Sequence, residues 1–220
     1  MSNADETSEV VVEISDATAV IRFNRPARRN SLSSETLNKL ESIFSEVTSQ
    51  NEVRAVIFTG TDDVFASGAD IRELAGLNPS SARAFSERGQ KLFQSIADAS
   101  HLTVAAINGY CMGGALDLSL ACDVRLASSS AVFAHPGSQL GIITGWGGTQ
   151  RLPRLIGKTR ALELFMTARR FNAAEALQMG LISAIEDPVL DAALRFVKAT
   201  EKEAADSSAT SVMPIKHRIT

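Results

Sequence analysis

The sequence is poor in the residues from which metal and redox sites are built. Its 220 residues hold two cysteines and three histidines. Cys111 and Cys122 form no CxxC pair, so neither a disulfide framework nor a thiolate metal site is expected, and both read as small buried hydrophobes. His101 and His217 have no supporting context, and no metal is assigned. There is no Walker A loop and no GxGxxG fingerprint, which argues against nucleoside triphosphates and dinucleotides as ligands. Ser67 lacks a nucleophile-elbow pattern, which disfavours a Ser–His–Asp triad. No basic start leads into an apolar signal region, and no apolar run is long enough to span a bilayer. A net charge of −3 gives no general attraction to nucleic acid or anionic membranes. The expectation is a cytoplasmic globular protein of ordinary composition, 45% hydrophobic and 21% charged, with one domain or one domain and an appendage.

Along the chain, residues 10–14 and 19–23 read as a hairpin turning at Asp16. Residues 35–49 place Leu37, Leu40, Ile43, Phe44 and Val47 at helical spacing. A strand at 54–59, an amphipathic helix at 79–97 and a strand at 103–107 follow. The segment 115–122 reads as a helix, 123–127 and 131–134 as strands. Residues 135–146 show little regular signal. Helical or turn-like segments at 148–157 and 158–167, a helix at 173–179 stopped by Gly180, and a last helix at 187–205 complete the pass. The pattern alone supports a mixed α/β protein with a strand–strand–helix unit that recurs.

Two stretches share one grammar. After the strand at 103–107, the glycines of Asn108-Gly109-Tyr110-Cys111-Met112-Gly113-Gly114 sit ahead of a helix. After the strand at 54–59, small residues in Phe65-Ala66-Ser67-Gly68-Ala69-Asp70-Ile71 do the same. Glycine turns at helix N-termini leave backbone N–H groups approachable and favour negative charge. Two such N–H groups can converge on one oxygen, or the glycines can merely serve packing; the sequence leaves both open.

These two stretches, with Asn24-Arg25-Pro26, Gly145-Trp146-Gly147-Gly148-Thr149-Gln150-Arg151-Leu152, Ala173-Ala174-Glu175-Ala176 and Gly180-Leu181-Ile182, resemble the crotonase family, also called the enoyl-CoA hydratase/isomerase family. The motifs keep the family's order over residues 11–185. The resemblance implies an α/β fold: a disordered end at 1–9, a spiral of ββα units at 10–157, and a shortened, apparently truncated helical region at 158–220. It implies an acyl-CoA substrate, with coenzyme A as part of the substrate and no permanently bound cofactor. It also implies a homotrimer or hexamer, weakened here by the short C-terminus.

By the same resemblance, the N–H groups of Ala69 and Gly114 form an oxyanion hole for a thioester enolate, so a bulky residue at Gly114 is expected to abolish turnover while sparing the fold. Asp70, Ile71 and Arg72 run beside the substrate, although Asp70 reads more naturally as serving the turn. Arg25, Arg28 and Arg29 can meet phosphates or form a solvated cluster. The family's hydratases hold water between two glutamates, and this sequence departs at both: the first position is Asp117 and the second is Gly137. His135 is a substitute base by position. Poor hydration of crotonyl-CoA is therefore expected, and three readings stay open: an enoyl-CoA hydratase/isomerase-like enzyme of uncertain reaction, a non-catalytic acyl-CoA-binding subunit, and a crotonase-fold hydrolase of carbon–carbon bonds.

Overall fold

The computed structural model describes residues 8–207, with side chains described to residue 203. Most of the N-terminal stretch expected to be disordered and residues 208–220 lie outside the described residues. Glu9 does not fit that expectation: its carbonyl accepts the Asn24 N–H at 2.9 Å and its carboxylate pairs with Arg25.

The chain begins with an antiparallel hairpin, β1 (Val10–Ser15) and β2 (Thr18–Phe23), turning through Asp16 at positive φ. Helix α1 (Ser34–Thr48) follows, started by the Ser33 side chain accepting from the Thr36 N–H; such a cap contributes ~1 kcal/mol. Three further units repeat the pattern. β3 (Ala55–Thr59) and β4 (Val64–Ala66) lead to α2 (Ile71–Ala75) and α3 (Pro79–Asp98). β5 (Leu102–Ile107) and β6 (Tyr110–Met112) lead to α4 (Gly114–Ala121). β7 (Val124–Ala127) and β8 (Val132–Ala134) lead, through a 3₁₀ turn at Pro136–Leu140, to α5 (Gly148–Ile156).

Both strands of the first unit lie in one sheet, whereas in each of the three later units the first strand joins that sheet and the second joins another. β3, β5 and β7 are parallel neighbours in a six-stranded sheet, while β4, β6 and β8 are parallel neighbours in a four-stranded one. This alternation winds the ββα units into the spiral expected from the sequence. The remaining part holds α6 (Lys158–Thr167), α7 (Ala173–Gln178) and α8 (Val189–Ser207), together with two strands not foreseen there, β9 (Phe171–Asn172) and β10 (Ala184–Ile185). Each extends one sheet, β9 against β8 and β10 against β7. Two residues are too few for a period to be read.

Strand β3 is buried on both faces, the usual state of a parallel strand covered by helices. Its alternation divides the core. Ala55 and Ile57 join Val104, Ala106 and Leu126 under Val189, Ala192, Ala193 and Val197 of α8. Val56 and Phe58, on the opposite face, join Ala105 and Ile107 in the main core. The α8 residues share one helical face, and burying each Val side chain contributes ~1.5–3 kcal/mol. Helix α4 is the centre of the molecule: every residue from Gly114 to Ala121 is buried. Asp117 is the sole ionisable side chain of that helix. Among the described residues, no helix is long and apolar enough to cross a membrane.

Candidate active site

The two glycine turns meet. β4 runs beside β6, with Ala66 opposite Cys111. Gly68 and Gly113 follow those strands at φ of +88° and +52°, a region that side-chain-bearing residues rarely enter. A Cβ on Gly68 would lie 2.5 Å from the Met112 carbonyl and 3.0 Å from the Gly114 nitrogen. The close approach therefore requires glycine.

Each turn also leaves one N–H out of its hydrogen-bond ladder. Leu32 donates to the Gly68 carbonyl at 2.8 Å and accepts from Asp70 at 3.4 Å, a parallel bridge that passes over the Ala69 N–H. Gly114 is the first residue of α4, where a helix offers no internal acceptor. Its neighbour Gly113 donates instead to the Ala134 carbonyl at 2.8 Å.

Gly114 is glycine for a further reason. A Cβ there would run into the Trp146 ring, as would one on Gly89 of α3. Trp146 is buried between them, edge-on to Phe93 at 5.6 Å, and donates through Nε1 to the Phe85 carbonyl at 3.3 Å. A bulky residue at Gly114 thus disturbs core packing before it meets any ligand, which corrects the expectation that such a change spares the fold.

One turn into α4 stands Asp117, fully buried. Its Oδ2 accepts from the Thr144 hydroxyl. Its Oδ1 faces His135 Nε2 at 3.3 Å, and neither atom has a hydrogen-bond partner. Gly148 closes over the same oxygen, so that a Cβ there would overlap Oδ1. Burial pushes the Asp117 carboxyl up to about 7, against the opposing pull of Thr144, the backbone of Trp146 and Gly148, and the Arg151 guanidinium. Burial pushes the His135 imidazole down to about 4. The result is a carboxyl whose proton is exchangeable near neutrality beside a neutral imidazole, a state suited to moving protons.

The other residues singled out in the sequence are placed as follows. Gly137 lies in the 3₁₀ turn, and a Cβ there would sit 2.8 Å from the Ile142 carbonyl. A glutamate introduced at that position meets backbone before it can reach inward. His135 stands against Asp117 and Phe165 rather than in an open cleft, and is 3% exposed. Asp70 caps α2, accepting from the Arg72 N–H at 2.9 Å and from the Ser31 hydroxyl at 3.4 Å. Ile71 is 62% exposed, and Arg72 is exposed beside it. Arg25 is engaged by Glu9, Arg29 lies over the Tyr110 ring at 4.7 Å, and Arg28 is exposed.

Several contributors carried no signal of their role. Thr144 sits in the segment without regular pattern. Trp146, Gly148 and Arg151 belong to a recognisable motif that says nothing of Asp117. Asn30 is buried and bonds through Nδ2 to the Val64 and Phe65 carbonyls at 2.9 and 3.2 Å, stapling β4 in place. Asn108 accepts from the Gly60 N–H at 2.9 Å and donates to the Asp62 carbonyl at 3.0 Å. A cavity of about 710 Å³ lies between α3 and α5, lined by Gln90, Gln94, Thr144, Arg151 and Arg154 among others, with no acidic residue in its wall.

Comparison with known proteins agrees with this architecture. Residues 13–218 match the profile of the Enoyl-CoA hydratase/isomerase family. The short-chain-enoyl-CoA hydratase of Clostridium acetobutylicum is 39% identical over 184 residues, 83% of this chain and 70% of that protein. The crotonyl-CoA hydratase of Syntrophomonas wolfei is 39% identical over 180 residues, 81% of this chain and 69% of that protein. Among solved structures, the enoyl-CoA hydratase of Thermoplasma volcanium superposes with a TM-score of 0.85 at 31% identity, covering 94% of this chain and 87% of that one. The chain belongs to the enoyl-CoA hydratase/isomerase family, and its two-sheet spiral is the crotonase-like α/β fold.

Proposed function

We propose that the protein acts on acyl-CoA thioesters by stabilising an enolate between the N–H groups of Ala69 and Gly114, with Asp117 moving a proton on and off the acyl chain. The observation that carries this reading is Asp117 itself, a lone buried carboxyl one helical turn beyond Gly114, held near neutrality. Removing a proton from the α-carbon breaks a C–H bond and sends its electron pair onto the thioester oxygen. Two preorganised N–H donors lower the energy of that charge, and loss of one such donor typically costs ~10²–10³ in rate. Both turns already have the backbone geometry that leaves those N–H groups outside the ladder.

The reaction favoured is double-bond migration rather than hydration. Migration needs one base that takes a proton from C2 and returns it at C4. Hydration needs a second group to hold and deprotonate water, a contribution of ~10²–10⁴. The position of that second group is Gly137, and its Cβ direction faces the Ile142 backbone. The test is to follow conversion of a 3-enoyl-CoA to the 2-enoyl isomer and hydration of crotonyl-CoA side by side, in the native protein and in Asp117→Asn. The expected result is migration that the substitution abolishes, with little hydration. Thioester binding without either reaction would favour a binding subunit; rapid native hydration would reverse the assignment.

A further inference from the structure

We propose that His135 is a positioning residue for Asp117: as the neutral Nε2–H tautomer it donates to Oδ1 while Thr144 donates to Oδ2, so that the carboxyl is clamped on both oxygens. Its catalytic use rests on the reading above; the clamp itself does not. Asp117 is 0% and His135 3% exposed, so neither faces bulk solvent. Oδ1 and Nε2 are 3.3 Å apart and have no other hydrogen-bond partner. Two bare acceptors facing each other away from bulk solvent leave both unmet, the costly outcome for buried polar atoms. One proton on the line between them satisfies both. At 3.3 Å the contact is longer than a formed bond, as catalytic hydrogen bonds often are before a ligand tightens them.

Both partners are fixed in place. Asp117 is held by α4 and Thr144. His135 follows β8, precedes Pro136, and packs against Phe165 of α6 at 5.0 Å between ring centres. The titratable groups around the pair are few: Cys111 of β6, Cys122 at the end of α4, and Arg151 of α5. Burial pushes the Cys111 thiol up, so it stays neutral. Arg151 acts at a distance, its guanidinium bonded to the Trp146 carbonyl and to Gln94. That leaves His135 as the titratable side chain that faces Oδ1 directly, beside the Trp146 and Gly148 backbone. Burial also keeps its imidazole uncharged, which suits a donor of the neutral form. The arrangement gives this chain a neutral imidazole on its single acid, in a site where Gly137 offers no second carboxylate.

The test needs no thioester. Long-range ¹H–¹⁵N spectra of the full chain, with the His135 signals assigned by their loss in His135→Gln, report the tautomer. The expected result at pH 7 is a neutral ring protonated at Nε2, with the Nε2 resonance displaced in Asp117→Asn. A ring protonated at Nδ1, an imidazolium, or an Nε2 resonance unmoved by Asp117→Asn would overturn the proposal. A second readout is the Asp117 carboxyl titration followed by ¹³C shift. His135→Leu removes the donor and should raise the midpoint by about one pH unit, the size of one lost hydrogen bond to a charged group. His135→Gln carries an amide donor to the same place and should restore most of it. Equal midpoints in the native, Leu and Gln proteins would remove the clamp. If the Leu variant does not fold, the tautomer measurement decides alone. Failure here leaves the enolate reading standing, and failure to bind any CoA thioester leaves the clamp standing.

Discussion

Replacing Gly114 with alanine adds one carbon where the Trp146 ring already lies. The new Cβ would lie 2.3 Å from the ring and carbon atoms pack best at about 3.5–4.0 Å, so the indole must retreat by roughly 1.2–1.7 Å. It has little room: Gly89 backs it on the α3 side, Phe85 and Phe93 flank it at 5.1 and 5.6 Å, and its Nε1 is tied to the Phe85 carbonyl. Overpacking of this kind costs ~1–3 kcal/mol, and stretching the Nε1 bond adds about 1 kcal/mol. Gly114→Ala should therefore destabilise the protein by ~2–4 kcal/mol in urea unfolding, with an unchanged m-value. Trp146→Phe removes the outer ring and should recover at least ~1 kcal/mol of that cost in the double mutant, a coupling of the size expected for residues in contact. Additive costs, with no recovery in the Trp146→Phe background, would refute the packing explanation and return Gly114 to a purely ligand-facing role.

Further predictions concern the polar core. The folded-state pKa of Asp117, about 7, lies above the ordinary carboxylate value near ~3.9. Its protonated form is thus favoured by folding, and that stabilisation is present below about pH 4 and lost as pH rises through 7. Asp117→Asn cannot ionise, so its stability relative to the native protein should improve from pH 5 to pH 8, by at most ~3 kcal/mol; urea midpoints across that range check it, and a flat difference contradicts it. His135 has the opposite sign: its depressed pKa, about 4, makes the native protein lose stability as pH falls from 6.5 through 4, and His135→Gln should remove that slope. Asn30→Ala leaves the Val64 and Phe65 carbonyls without their Nδ2 donor and should cost ~1–3 kcal/mol in the same assay.

Much of the scaffold can be read before any coordinates. The apolar spacing of Leu37, Leu40, Phe44 and Val47 places α1 within a residue of its observed span. The β-branched run of β5 and the glycines after it mark the centre of the fold. Tyr110–Met112 escapes because a three-residue strand between glycines has no period to detect; it is the second strand of its unit, not a turn. β9 and β10 escape for the same reason. The site is legible along the chain but not across it. Asp117 and His135 stand out by position, whereas their 3.3 Å approach, the Thr144 bond and the Trp146 wedge arise from contacts between segments that no local pattern encodes. The glycine at 114 illustrates the ambiguity: the turn and the indole both require it, and only the packing distinguishes the two demands.

The proposed chemistry is formation of a thioester enolate with one carboxyl. The most direct measurement is the exchange of butyryl-CoA α-protons with deuterated solvent, followed by mass or proton resonance, because exchange needs only the enolate and a proton carrier. The native protein is expected to catalyse exchange, with Asp117→Asn slower by ~10²–10⁴ while still binding the thioester. No exchange by the native protein at saturating butyryl-CoA, or exchange indifferent to Asp117→Asn, would contradict the account.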